Sequence, residues 1–177
     1  MLIGGRTLRI DDPDLTPRFA PGFAGRGPDA VVLSRGDASA FFPGAKLFAA
    51  GRKAKTHVLC ERDPGLPEGV KPHLLGAAHL PGNMGGPNAP ILVGMQDFFK
   101  EQGYHSILVE GGAGIWKLFL EAGLWDRLFI LTAPKLLPEG ERWDAALAPG
   151  WASSLKLRKF SCLGEDYLTE FAQADPP

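Results

Sequence analysis

Ser106-Ile107-Leu108-Val109-Glu110-Gly111-Gly112-Ala113-Gly114-Ile115-Trp116-Lys117-Leu118 runs from a short apolar pattern through a glycine-rich turn into a helix. The first four residues, S-I-L-V, read as a buried strand over 106–109. From Gly114 to Ala122, Ile115, Leu118 and Phe119 recur at offsets of three and four, one face of a helix that stops at Gly123. Upstream, the segment 96–102 carries Phe98 and Phe99 and reads as a helix stopping at Gly103. Downstream, Leu128–Thr132 reads as another strand. Helix, strand, helix, strand is the order of an α/β sheet with crossover connections.

Further strands are expected at Ala30–Leu33 and Thr56–Cys60, each bounded by turn residues. Leu155–Phe160 alternates as a half-buried strand should, with Asp166–Phe171 its antiparallel partner across the Cys162-Leu163-Gly164 turn. The 23 glycines and 16 prolines mean many turns and stiff connections, gathered before position 30, over 64–90 and over 134–149. No repeat is visible. The run 81–90 is the best candidate break, but it leaves too little chain on either side for two cores, so residues 1–177 are expected to form a single domain.

Lys plus Arg number 19 and Asp plus Glu 20, a net charge of −1, which argues against nucleic acid and against a polybasic membrane anchor. No apolar run approaches the ~18 residues of a membrane span. The opening MLIGGRTLRIDD lacks the basic and apolar regions of a secretory signal, and two cysteines make no disulfide framework. The expectation is a soluble cytoplasmic domain.

Chemistry concentrates in two places. Glycines between a strand and a helix let a ligand approach backbone N–H groups, and a helix start attracts phosphate. Glu110, at a strand's carboxyl end, suits hydrogen bonding to a polar substrate. A tight turn whose glycines serve packing explains the same residues equally well. The second place is Gly4-Gly5-Arg6-Thr7 with Asp11-Asp12-Pro13-Asp14-Leu15-Thr16-Pro17-Arg18. Its acids suit ribose hydroxyls and its arginine a phosphate, although a polar, proline-stiffened loop is the plainer reading. His57 and Cys60 face opposite ways on a strand, and His73, His79 and His105 belong to loops and solvent. Trp116, Phe119, Trp125 and Phe129 are most simply core. The zinc-deaminase, Walker and Gly-x-Ser-x-Gly patterns are absent from the sequence.

Together these segments form an ordered set. It comprises Thr7 with Asp11-Asp12-Pro13 and Leu15-Thr16-Pro17-Arg18, the V-V-L strand, Glu110-Gly111-Gly112, Ala122-Gly123-Leu124-Trp125-Asp126, Ala133-Pro134-Lys135-Leu136-Leu137 and the closing Leu163-Gly164-Glu165-Asp166-Tyr167-Leu168. From Leu2 to about Phe171 the chain resembles the reductase domain of bacterial riboflavin biosynthesis. The resemblance implies a dihydrofolate reductase-like three-layer αβα sandwich with a mixed, mostly parallel sheet. It implies NADPH-dependent reduction of 5-amino-6-(5-phosphoribosylamino)uracil to its ribitylamino form. A reductase of the same fold acting on another heterocycle, and a non-catalytic nucleotide-binding or subunit protein, are the alternatives.

Carried over position by position, Thr7 and Asp11 would contact the cofactor. So would the turn Gly112, Ala113, Gly114, Ile115, Trp116, Lys117 and Leu118, by holding its phosphates. Leu15, Arg18 and Glu110 would contact the phosphoribosyl substrate, with Arg18 on its phosphate. No catalytic residue or proton donor is identified.

The chain departs from the family pattern in three ways. After the V-V-L strand, Ser34 stands where the family has aspartate and Arg35 where it has a cofactor-binding serine; both Ser34 and Arg35 would contact the cofactor, Arg35 suiting the 2′-phosphate of NADPH. Pro138-Glu139-Gly140 rebuilds the loop after P-K-L-L. The family's opening strand, with its lysine and S-L-D-G turn, and the helix after it have no counterpart before Leu2-Ile3, which resembles the tail of the second strand. A misassigned start is the favoured explanation, with truncation or a degenerate, non-catalytic relative as the others. The family generally forms dimers. The crowding of Leu124, Trp125, Leu128 and Phe129 supports a homodimer interface, or else an intramolecular core.

Overall fold

The computed structural model describes residues 1–17, 22, 27–35, 38–75, 89–136, 139, 153 and 155–173. The chain divides into two compact units, residues 1–115 and 116–177.

In the first unit β1 (Leu2–Gly4), β2 (Ala30–Ser34), β3 (Thr56–Cys60) and β4 (Pro72–Leu74) pair in parallel, in that order. Every residue of β2 is buried, which explains why it reads as an unbroken apolar run rather than an alternation. The register aligns Ile3, Val32 and Val58 on one face. There they join Leu8 of α1 (Gly5–Asp11) and Ala40, Phe41 and Leu47 in a single core cluster. The opposite face carries Leu33, Leu59 and His73 in register, with His57 two residues before Leu59. α2 (Ala89–Glu101) covers that face, its Phe98 ring 5.1 Å from His57 and 4.8 Å from His73. Helix, sheet and helix thus form three layers. On the free side of β1, Leu2 bridges Val109 in parallel. The Leu2 N–H donates to the Leu108 carbonyl and the Glu110 N–H to the Leu2 carbonyl, both at 2.8 Å.

α3 (Ala113–Glu121) starts in the first unit and continues into the second. The second unit adds an antiparallel sheet of β5 (Arg127–Thr132), β6 (Leu155–Leu163) and β7 (Asp166–Gln173) in the order β5-β7-β6. A bulge interrupts β6 between Leu157 and Lys159. Among the described residues no helix is long and apolar enough to cross a membrane.

The mixed α/β architecture is as expected, but several elements differ from their sequence reading. Parallel and antiparallel strands belong to two hydrogen-bonded sheets rather than one. The 106–109 run makes one bridge, at Val109, instead of a strand. α2 begins seven residues before Gln96. Pro90 falls in its first turn, where a missing N–H costs nothing, and a side chain at Gly94 would meet Leu75 Cδ2 at 3.1 Å. α1 has no apolar stripe to betray it, since only Gly5 and Leu8 are buried. β4 opens on a proline, which an edge strand tolerates, and it moves His73 from the expected loop into the sheet. Trp116 is 40% and Phe129 48% exposed, so neither is core. Phe119 is buried and Trp125 half-buried.

Candidate functional site

Three segments meet at the carboxyl edge of the parallel sheet, the edge where α/β folds take their ligands. β1 turns directly into α1 at Gly4-Gly5. A Cβ at Gly5 would stand 2.9 Å from Ala40 Cβ and 3.5 Å from Ser34 Cβ. A Cβ at Gly4 would stand 3.1 Å from Ile115 Cγ1, and one at Gly111 3.6 Å from the Gly4 nitrogen. Gly4 and Gly5 are therefore glycines of close packing. They bring the end of β2 (Ser34), the start of α1 and the first turn of α3 into contact.

Gly112 and Gly114 have no such role. Among the described residues a Cβ at either would meet nothing within 4 Å, and neither has the positive φ that demands glycine. α3 starts at Ala113, and the first N–H groups of a helix have no partner within it, although that of Ile115 is taken by the Gly112 carbonyl. The packing explanation of this turn fails at those two positions. What glycine provides there is unobstructed access to backbone donors, which fits a phosphate-bearing cofactor. The rest of the expected 112–118 run divides. Ile115 packs on Gly4 and gives its N–H to the Gly112 carbonyl at 3.0 Å. Lys117 pairs with Glu121 at 3.7 Å, Trp116 is exposed and Leu118 is buried.

Around this turn, Glu110 is exposed, with its backbone tied to Leu2. Thr7 and Asp11, four apart on α1, share one helix face. Ser34 is buried at the end of β2 and Arg35 exposed beside it.

The three neighbouring acids separate in role. Asp12, in the left-handed region at the end of α1, accepts the Lys46 N–H at 2.9 Å and pairs with its ammonium at 3.4 Å. Asp14 Oδ1 accepts the Thr16 N–H at 3.0 Å. Asp11 is left exposed. Leu15 has φ +50°, rare for a branched side chain, and is half-buried against the core cluster. Arg18 lies outside the described residues. Lys46 and Arg52, which anchor this loop, carried no sequence signal, because most of their bonds go to backbone carbonyls.

The amino edge of the same sheet is closed. The Tyr104 hydroxyl donates to Asp29 Oδ2 at 2.8 Å and lies 3.1 Å from His57 Nε2, while His57 Nδ1 lies 3.3 Å from His73 Nε2. A carboxylate only accepts, so the Tyr104 hydroxyl donates to it and accepts a hydrogen bond from the Nε2–H of His57, which leaves Nδ1 to accept from His73. Burial, then the neighbouring His73, lowers the pKa of His57. Burial opposes ionisation of Asp29, yet the Tyr104 hydroxyl and Lys55 amide hold its carboxyl below the ordinary value. Burial and the bond to Asp29 push Tyr104 upward. Cys60 is buried, which raises its thiol above the ordinary value. His105 is exposed, and His79 lies outside the described residues. Among the described residues no group of three or more His, Cys, Asp or Glu converges for a metal.

This chain resembles known proteins along nearly its full length. The riboflavin biosynthesis protein RibD of Aquifex aeolicus (strain VF5) is 28% identical over 173 residues, 97% of this chain and 45% of the relative. A diaminohydroxyphosphoribosylaminopyrimidine deaminase/5-amino-6-(5-phosphoribosylamino)uracil reductase from Thermotoga maritima superposes with a TM-score of 0.74 at 21% identity, covering 98% of this chain and 44% of that one. A pyrimidine reductase-like protein from Corynebacterium diphtheriae NCTC gives 0.65 at 16% identity, with 99% and 75% covered. The chain thus spans less than half the length of the curated relative, and the structural likenesses carry the dihydrofolate reductase-like fold. The model of the RibD C-terminal domain matches residues 1–169, and the chain belongs to that family.

Proposed function

We propose that this chain reduces 5-amino-6-(5-phosphoribosylamino)uracil to its ribitylamino form with NADPH, as the reductase step of riboflavin biosynthesis. The observation that carries the reading is the pair Gly112 and Gly114, glycines with neither a packing neighbour among the described residues nor a left-handed backbone, at the start of α3. Gly112, Ala113 and Gly114 hold the cofactor's phosphates through backbone donors, narrowing the expected run to its first three residues. Thr7 and Asp11 contact the cofactor from one face of α1, and Arg35 supplies positive charge for the 2′-phosphate. Leu15 and Arg18 hold the phosphoribosyl group, and Glu110 a polar part of the substrate.

When bound at this turn, NADPH would supply the hydride for the ribose carbon next to nitrogen, whose nitrogen would gain a proton from solvent or a neighbouring acid. The protein's share is placement of the two reactants and electrostatics. We also propose a homodimer. Phe129, Leu131, Leu157, Phe160 and Leu163 leave large apolar surfaces exposed on the antiparallel sheet.

Following NADPH fluorescence on titration tests binding, and its oxidation on adding the aminouracil substrate tests turnover. Binding without turnover supports a non-catalytic nucleotide-binding protein. Absence of both removes the reading. Light scattering at micromolar concentration reports the dimer, and a 19 kDa monomer contradicts it.

A further inference from the structure

Leu15 holds a left-handed backbone, which an ordinary side chain keeps only when its surroundings leave no alternative. Those surroundings can be enumerated. The carbonyl before it, that of Asp14, accepts from Arg52 Nη1 at 2.5 Å. The amide after it, that of Thr16, donates to Asp14 Oδ1 at 3.0 Å. Its own carbonyl lies against Gly27, where a Cβ would come within 3.2 Å. The other arm of the same guanidinium, Nη2, donates to the Pro28 carbonyl at 2.9 Å. One planar fork therefore ties residue 14 to residue 28 and fixes both strands of chain that pass Leu15. The third nitrogen, Nε, is buried and has no acceptor among the described residues. A cost of that kind is tolerated where the geometry of the other two bonds is what the residue supplies.

We infer that Arg52 is a positioning residue, which holds Leu15 in its strained conformation and thereby sets affinity for the phosphorylated ribose half of the substrate. The inference rests on the proposed substrate contact of Leu15 and not on the cofactor turn. Arg52 touches no reacting atom. Its effect passes through the backbone of residues 14–16. Lysine cannot replace it fully, because one ammonium on a flexible stem does not reproduce two parallel donors in a fixed fork.

The test compares wild type, Arg52→Ala and Arg52→Lys in three measurements. Hydrogen–deuterium exchange of the peptide spanning 12–17 reads the clamp. Ribose 5-phosphate titration reads the phosphoribosyl subsite, and NADPH titration reads the cofactor turn. Arg52→Ala is expected to speed exchange at 12–17 and weaken ribose 5-phosphate at least tenfold, with NADPH affinity within twofold of wild type. Arg52→Lys should fall between. Unchanged exchange, or unchanged ribose 5-phosphate affinity, overturns the inference and leaves the proposed function standing. Equal losses for both ligands also overturn it, since that is general damage. A wild type that binds ribose 5-phosphate but not NADPH removes the proposed function, and the Arg52 comparison then still decides the inference. A wild type that binds neither removes both.

Discussion

The two edges of the parallel sheet are built from the same strands and treated oppositely. At the amino edge Asp29, Tyr104, His57 and His73 form one hydrogen-bonded chain, and the aromatic rings of Phe98 and Tyr104 pack on His57. At the carboxyl edge Glu110 and Arg35 are exposed, and among the described residues nothing stands within 4 Å of a Cβ at Gly112 or Gly114. Polar groups that satisfy one another contribute stability, while the carboxyl edge is where the proposed cofactor and substrate would bind. The contrast separates residues whose loss unfolds the unit from residues whose loss disables it.

Substitutions that break the packed part of the carboxyl edge should have the largest effect on stability. Gly5→Val forces a side chain against Ala40 and is expected to cost roughly 3 kcal/mol or more in denaturant unfolding, beyond the usual overpacking range. Gly112→Ala, seven residues of sequence motif notwithstanding, should stay within about 0.5 kcal/mol, because nothing stands in its way. If both destabilise equally, the division of the glycines is wrong.

Tyr104→Phe strikes the opposite edge. It deprives Asp29 Oδ2 of its donor and His57 Nε2 of its acceptor, so a loss of about 1–3 kcal/mol is expected, with NADPH affinity unchanged. A variant of unaltered stability would show that the chain of hydrogen bonds contributes nothing.

The same network gives the pH dependence its sign. His57 has a lowered folded pKa, so below about pH 6.5 the unfolded chain takes up a proton that the folded one refuses, and stability falls as pH falls. Asp29, also lowered, contributes stability above its unfolded pKa near ~3.9, and this is lost as pH drops through its folded value. Tyr104 is raised, so above about pH 10 the unfolded chain loses its proton first and stability falls again. Thermal unfolding across pH 3–11, with Tyr104→Phe as control, checks all three slopes. The control should lose the alkaline slope.

Glu110→Gln is the smallest change in stability, within about 0.5 kcal/mol, since the side chain is exposed and its shape is kept. Substrate affinity should nevertheless drop, with NADPH binding preserved. A loss of cofactor instead would exchange the roles assigned to Glu110 and Gly112.

How much of this was legible beforehand depends on whether a feature is local. The buried runs at β2 and β3, the α3 stripe and the closing hairpin were readable because their periodicity lies within one segment. α1, β4 and the first half of α2 were not. Leu8 is the lone buried apolar side chain of α1, Pro72 disguises an edge strand, and Pro90 with Gly94 resembles a loop until Leu75 is seen against it. The glycine-rich turn was recognised as a whole, but sorting Gly112 and Gly114 from Gly4 and Gly5 required knowing what each Cβ would strike. Arg52 and the tyrosine–histidine chain were invisible because their partners are backbone carbonyls and residues 16 to 75 positions away.

The most direct measurement of the central claim is NADPH affinity of the wild type beside Gly112→Val and Gly5→Ala, by fluorescence titration at a temperature where all three are folded. Gly112→Val should lose at least tenfold in affinity while unfolding at the wild-type denaturant midpoint. Gly5→Ala should unfold earlier and, while folded, bind normally. NADPH binding that ignores valine at 112, or that is absent from the wild type, would contradict a cofactor site at the start of α3.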